Sequence, residues 1–338
     1  MNKKNVVIVG YGSVAPVHAG VVDGCDKTVL YGICDCDSKK LEKAAKDYEC
    51  KLFESYDDVL ADENVDSVHI CTPHHLHAEM VIKAVEHRKY VVVEKPAGIN
   101  MEEINKLRTV CAGKEKNVCA ILQNRLNSGI QEMRRIINSG EYGKVLCGKV
   151  FLTWYRTPEY YAHDEWRGKW ATEGGGVVVN QAVHALDMME YVVGRFAEVE
   201  ASIDNRTLSD YIEVEDTAEA FITTESGARV LFYASNGYGV STPFDLEVQL
   251  EKAVLKYMHS KLYVIKDDEM TEITKDGRCP VPGKHYWGTG HSELLNNFYS
   301  ALNGSDEYYT TITDGLDAAR IVAAIYESAK TNKKVKCQ

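Results

Sequence analysis

Gly10, Gly12 and Ala15, in the run Gly10-Tyr-Gly12-Ser13-Val14-Ala15, have the spacing of a turn that binds a dinucleotide. The first glycine allows the tight turn, and the second lets backbone amides approach a pyrophosphate at the N-terminus of the helix that follows. The apolar stretch Asn5 to Val9 precedes the turn and an alanine- and valine-containing stretch runs on to about Asp23, giving strand, turn and helix. Asp35 ends a second apolar run, Thr28 to Cys34. An acid there accepts hydrogen bonds from a ribose diol and repels a 2′-phosphate, which favours NAD over NADP. The alternative for Asp35 is a helix N-cap for the segment starting at Asp37 or Ser38. Lys39 and Lys40 either sit on the solvated face of that helix or reach a 2′-phosphate.

Two more residues are suited to polarising an oxygen and moving a proton. Lys95, in Glu94-Lys95-Pro96, follows the strand Tyr90 to Val93, whose carboxyl end places a cation where it can polarise an oxygen. His184 lies in a predicted helix from Val177 to Val193, where Asn180, His184 and Asp187 at i, i+4 and i+7 share one face. An imidazole with an ordinary pKa near 6.5 can take a hydroxyl proton and return it; the alternative is a core histidine satisfied by Asp187. Gly174-Gly175-Gly176 either yields space to nicotinamide or sugar, or is a structural hinge.

Three of the four tryptophans fall between Trp154 and Trp170. Tyr155, Arg156 and Trp166 are the substrate-side candidates of that segment. Aromatic faces cover the C–H faces of a pyranose and guanidinium forks bind hydroxyls or a carboxylate, the alternative being packing under a sheet or in a subunit contact. Arg125 is read as a ligand contact or a domain-interface ion pair, and His291 as a helix cap or an active-site group. His74-His75-x-His77 lacks an acidic or cysteine partner at ligand spacing, so no metal is expected.

Strands and helices alternate up to about residue 123, the pattern of a doubly wound parallel sheet, and 1–123 is read as a Rossmann domain that binds NAD. From residue 124 to 338 consecutive strands predominate, giving an α+β domain with a mostly antiparallel sheet. Fifty acidic against 39 basic residues, a net charge of -11, argue against nucleic acid as a partner. There is no apolar run of the roughly 20 residues that cross a bilayer and no signal-peptide core, so a cytoplasmic protein without a membrane partner is expected. The ten cysteines are scattered, as befits free thiols.

In their order and separation the glycine turn, Thr72-Pro73-His-His-Leu-His77, Glu94-Lys95-Pro96, Gly174-Gly175-Gly176 and His184-x-x-Asp187 resemble the Gfo/Idh/MocA oxidoreductases over nearly the whole chain. The resemblance implies NAD(P)-dependent hydride transfer on sugars, inositols or related polyols. It implies a cofactor site of Gly10, Gly12, Ser13, Val14, Ala15, Asp35, Thr72, Pro73, His77, Glu94 and Lys95. Lys95 would be the catalytic lysine, His184 the proton-exchanging histidine, and Asn180 would stand where many relatives have aspartate, leaving Lys95 a larger share of the proton transfer. The second domain would carry a large open sheet used for assembly into a homodimer or homotetramer. A redox-neutral sugar or glycoside enzyme that retains NAD, and a sensing protein such as the galactose-pathway repressor, would share these motifs.

Overall fold

Six short strands, rich in apolar residues most of which are buried, form the first sheet. The computed structural model describes residues 3–277 and 289–337. The strands are β1 (Lys4–Val9), β2 (Thr28–Cys34), β3 (Lys51–Phe53), β4 (Ser67–Ile70), β5 (Tyr90–Val93) and β6 (Val118–Ala120), all parallel, in the order β3-β2-β1-β4-β5-β6. Between them run α1 (Ala15–Gly24), α2 (Ser38–Asp47), α3 (Tyr56–Ala61), α4 (His74–Glu86) and α5 (Met101–Val110). The strand order reverses between β1 and β4, so the loops leaving those strands flank the switch point where open α/β sheets bind their ligands. Asp37, Ser55 and Asn100 cap α2, α3 and α5 with side-chain oxygens, whereas α1 has no side-chain cap.

The second sheet has nine strands: β7 (Val145–Thr153), β8 (Phe196–Asp204), β9 (Thr217–Thr224), β10 (Arg229–Ser235), β11 (Asp245–Leu250), β12 (Val254–Met258), β13 (Lys261–Lys266), β14 (Glu269–Lys275) and β15 (Val335–Lys336). Their order is β14-β13-β12-β11-β7-β10-β9-β8-β15, and every neighbouring pair is antiparallel except β7 with β10. Of its helices, α6 (Ser128–Ser139), α7 (Pro158–Ala162) and α8 (Val183–Val193), α6 packs on β12 to β14 and α8 on β7 and β11. Leu146, Phe221 and Leu231 of this sheet remain exposed. Two long helices complete the chain, α9 (Gly290–Leu302) and α10 (Ile312–Thr331). No described helix is long and apolar enough to cross a membrane.

Compact units do not follow a single cut near residue 123. One comprises Met1–Leu122 and His291–Leu316, the other Gln123–Gly290 and Asp317–Gln338. The late segment joins the first sheet because Tyr299 of α9 places its hydroxyl 2.9 Å from Ser67 Oγ and 2.7 Å from His69 Nε2, while Thr310 Oγ1 donates to the Ala120 carbonyl. A strip of chain returning to a completed sheet leaves no change of texture in the sequence. Helices α6 and α7 were also not anticipated. The first carries its signal in Ile130, Met133 and Ile136, buried at helical spacing before Gly140 at φ 68°; the second is too short for periodicity.

Tyr299→Phe leaves the Ser67 hydroxyl and the His69 ring without a shared partner in a fully buried site. The expected cost is about 2 kcal/mol, read as a lower urea midpoint at unchanged m-value.

Candidate functional site

At the carboxyl end of β1 the chain turns at Gly10, whose φ is 86° and where a Cβ would stand 3.0 Å from the Cys71 carbonyl and from Thr72 Cγ2. Only glycine fits a backbone this close to the neighbouring strand. Gly12 has nothing within 4 Å of where its Cβ would be, Ser13 is exposed and Val14 half-buried. The first turn of α1 has neither a capping side chain nor an acidic residue, so its amide donors remain open to an anion. Asp35 is buried, its Oδ2 accepting the Tyr11 amide at 2.7 Å and its Oδ1 the Asp37 amide at 2.9 Å. The cap of α2 is Asp37, so Asp35 ties the second strand to the glycine turn instead. Lys40 Nζ lies 3.7 Å from Asp35 Oδ2. These residues fit a dinucleotide: open amides, a cradle clear of side chains, and an acid fixed beside it.

Lys95 follows β5, half-buried, and its amide donates to Glu94 Oε2 at 3.2 Å. The Glu94 carboxylate turns inward, with Oε1 3.1 Å from His18 Nε2 and 3.3 Å from His291 Nε2. His18 Nδ1 meets His69 Nδ1 at 3.0 Å, and the chain of contacts continues through Tyr299 to Ser67. Burial works against charge here, but hydrogen bonds from His18 and His291 hold Glu94 well below the usual carboxylate range. Burial lowers His18 too, yet its interactions with Cys71 and Glu94 carry it up to about 10. Burial and the His18 cation push His69 well below 6.5. The ligand atoms of His18, Glu94 and His291 lie within 4.8 Å of one another, the one such trio among the described residues, at distances that hydrogen bonds account for. His291 therefore belongs to this buried network. Elsewhere His77 places Nδ1 2.8 Å from the Pro96 carbonyl and Nε2 2.8 Å from the Thr72 carbonyl, tying the loops after β4 and β5 together. His74 and His77 are both buried, and no ligand cluster forms with His75 among the described residues.

In the second unit, Val178–Ala182 forms a single π-helical turn leading into α8. The wider turn replaces the first α-helical turn of the expected helix. Asn180 Nδ2 donates to Glu173 Oε1 at 2.5 Å, and the same buried carboxylate accepts the Gly168 amide through Oε2 at 2.5 Å. Asp187 holds Arg125 in a fork, with contacts of 2.7 Å to Nη2 and 3.0 Å to Nε. That buried ion pair lies within the second unit. His184 is 9% exposed.

Gly174-Gly175-Gly176 yields space to the chain itself. A Cβ on Gly175 would overlap the Tyr326 hydroxyl and one on Gly176 the Glu215 carbonyl oxygen. Glu215 fastens the turn, Oε2 accepting the Gly176 amide at 2.9 Å and Oε1 the Val178 amide at 3.0 Å and the Tyr326 hydroxyl at 2.8 Å. Burial pushes this carboxyl up to about 7 against those bonds.

From the aromatic segment, Arg156 stacks on Trp154 and Tyr160 at 4.7 and 5.2 Å, and Arg167 on Tyr160 and Trp166 at 4.7 and 4.5 Å. Tyr155 is 51% exposed, whereas Tyr161 packs into a small core with Leu208, Ile212 and Val214. Asn236 donates to Gln181 Oε1 at 3.0 Å and to the Tyr161 hydroxyl at 2.9 Å. Sequence reasoning missed Glu173, Gln181, Glu215 and Asn236. Glu173 had a signal, an acid directly before the glycine triplet; Glu215 and Asn236 arrive from distant strands.

Residues 4–121 match the model of an oxidoreductase family with an NAD-binding Rossmann fold, and residues 130–256 that of the GFO/IDH/MocA C-terminal domain. An inositol 2-dehydrogenase of Rhizobium meliloti is 22% identical over 97% of each chain. The WlbA dehydrogenase of Bordetella pertussis, solved with NADH and UDP-GlcNAcA, superposes with a TM-score of 0.85 at 26% identity over 99% of both chains. A levoglucosan dehydrogenase, solved with NADH and levoglucosan, superposes at 0.87 over 99% of this chain and all of that one, and at 21% identity shows the shared fold.

Glu215 binds its proton more tightly folded than unfolded, so its contribution to stability is complete below pH 4.5 and is lost as the pH rises through 7. Glu215→Gln does not titrate. The stability of wild type minus variant, from urea unfolding at steps across that window, is expected to shrink by up to about 3 kcal/mol.

Proposed function

Because the chain belongs to the Gfo/Idh/MocA oxidoreductases and is an NAD-dependent enzyme of that family, we propose that it oxidises a secondary alcohol of a sugar, glycoside or cyclic polyol. The observation that carries this is the placement of Lys95 at the carboxyl end of β5, its backbone fastened to Glu94, in the sheet whose switch point also holds the Gly10 turn and Asp35. NAD, when bound, supplies the hydride acceptor. Gly10, Gly12, Ser13, Val14 and Ala15 would hold its pyrophosphate by backbone amides, and Asp35 would hold a ribose. Thr72, Pro73 and His77 shape the adjoining loop, where the His77 ring lies between the Pro96 and Thr72 carbonyls.

Lys95 then polarises the alcohol oxygen and His184 takes its proton. A neutral imidazole becomes a cation in that step, and a cation in a buried site needs a nearby negative charge. Asn180 carries none, but the Glu173 carboxyl that it contacts, fixed by Gly168 and Asn180, would supply one. Tyr155, Arg156 and Trp166 would contribute to the sugar-binding surface.

The exposed face of the nine-stranded sheet is proposed as the contact with a second copy, in a homodimer or homotetramer. Phe221 is 67% exposed and Leu231 39%, beside Arg229, Lys149 and Glu247, and a paired apolar patch flanked by mixed charges suits a self-complementary contact. The nine described cysteines are unbridged, which supports a reducing, cytoplasmic setting; Cys279 lies outside the described residues.

With a substrate found by NADH absorbance at 340 nm, Lys95→Met and His184→Ala should each lower kcat by about 10²- to 10⁴-fold while calorimetry shows NAD still binding. Product formed without net NADH would instead assign the redox-neutral chemistry. Phe221→Glu should shift the protein toward the monomer mass in light scattering; an unchanged mass would move the contact elsewhere.

A further inference from the structure

The guanidinium of Arg156 lacks an anion. Among the described residues, Arg125, Arg135, Arg167, Arg195, Arg206 and Arg320 each meet a carboxylate, but none lies within 4.0 Å of Arg156. Its Nη1 donates to the Tyr155 carbonyl at 3.0 Å, and its Nε is buried without a hydrogen-bond partner. The Trp154 and Tyr160 rings hold the group. A guanidinium stacked on aromatic rings is stiffened in its plane and keeps its edge for a planar anion, and an unsatisfied donor there is costly in the absence of one.

A second unsatisfied atom belongs to the residue that Arg156 meets through its backbone. The Arg156 amide donates to the Asn236 carbonyl at 2.9 Å, and the Asn236 side chain, fully buried, has an Oδ1 with no partner. Asn236 Nδ2 is committed to Tyr161 and to Gln181, the residue after Asn180 in the π turn that leads to His184. The segment that carries Arg156 is thus joined through Asn236 and Gln181 to the element that carries the candidate proton acceptor. In a chain with a net charge of -11, a positive group left without a carboxylate is set against the general field of the protein.

We propose that the substrate is an anionic sugar or polyol whose carboxylate or phosphate pairs with the Arg156 guanidinium. This rests on the sugar-dehydrogenase function above and narrows its substrate class. The forked pair is charge-assisted and sets which end of the substrate faces Arg156.

The test uses matched probes: D-glucose, D-glucuronate and D-glucose 6-phosphate, with myo-inositol and myo-inositol 1-phosphate. Each is assayed for NADH formation and, separately, for binding by calorimetry with NAD present, using wild type, Arg156→Met and Arg156→Lys, with melting temperatures confirming that the variants fold. At least one anionic probe should bind 10-fold or more tightly than its neutral counterpart. Arg156→Met should raise the KM or Kd of that probe about 10- to 100-fold more than that of the neutral one, and Arg156→Lys should recover part of the loss. Whether the carboxylate or the phosphate arm responds names the anion. Neutral probes turned over with anionic ones no better, or an Arg156→Met effect equal on both, overturns the inference and leaves the dehydrogenase function standing. Arg156-dependent binding of an anionic probe with no NADH from any probe supports the inference and counts against that function. Absence of Arg156-dependent binding by every anionic probe overturns the inference.

Discussion

Buried carboxylates that accept backbone N–H groups hold the loops that carry the candidate residues of each unit. Asp35 takes the amides of Tyr11 and Asp37, Glu94 that of Lys95, Glu173 that of Gly168, and Glu215 those of Gly176 and Val178. Asp216 takes three more, from Arg206, Thr207 and Leu208, and Leu208 packs against Tyr161. A carboxylate removed from water is costly unless several donors surround it, and a loop amide buried without an acceptor is costly as well. Each such pairing removes two penalties at once and fixes a loop that could otherwise adopt many conformations.

The donor sets differ, and so do the charges they sustain. His18 and His291 keep Glu94 ionised, so the network behind Lys95 combines an anion with a cation at His18. Glu215 has two amides and one tyrosine hydroxyl, and burial prevails. The entry to the His184 helix is consequently the part of the second unit whose anchoring charge changes near neutral pH.

The π turn matters for the same reason. Aspartate at position 180 would bring a carboxylate into the turn directly, whereas here Asn180 passes the contact to Glu173, seven residues earlier. Because a carboxylate accepts only, it fixes the Asn180 amide with its nitrogen inward and its oxygen turned away.

Local rules determined much of this protein. The parallel sheet, the glycine turn, Asp35 at a strand end and Lys95 after the next long strand were legible because each depends on a short run of residues and on the handedness of βαβ units. The helix from Val177 to Val193 was legible as well, but its π turn was not, since an extra residue in a turn leaves the apolar pattern nearly unchanged. Tertiary structure alone decided that His291–Leu316 returns to the first sheet, that Asp187 serves Arg125, and that the glycine triplet makes room for Glu215 and Tyr326. In each case the partner lies tens or hundreds of residues away, and which donor meets which acceptor is settled by packing, a property that no local spacing encodes.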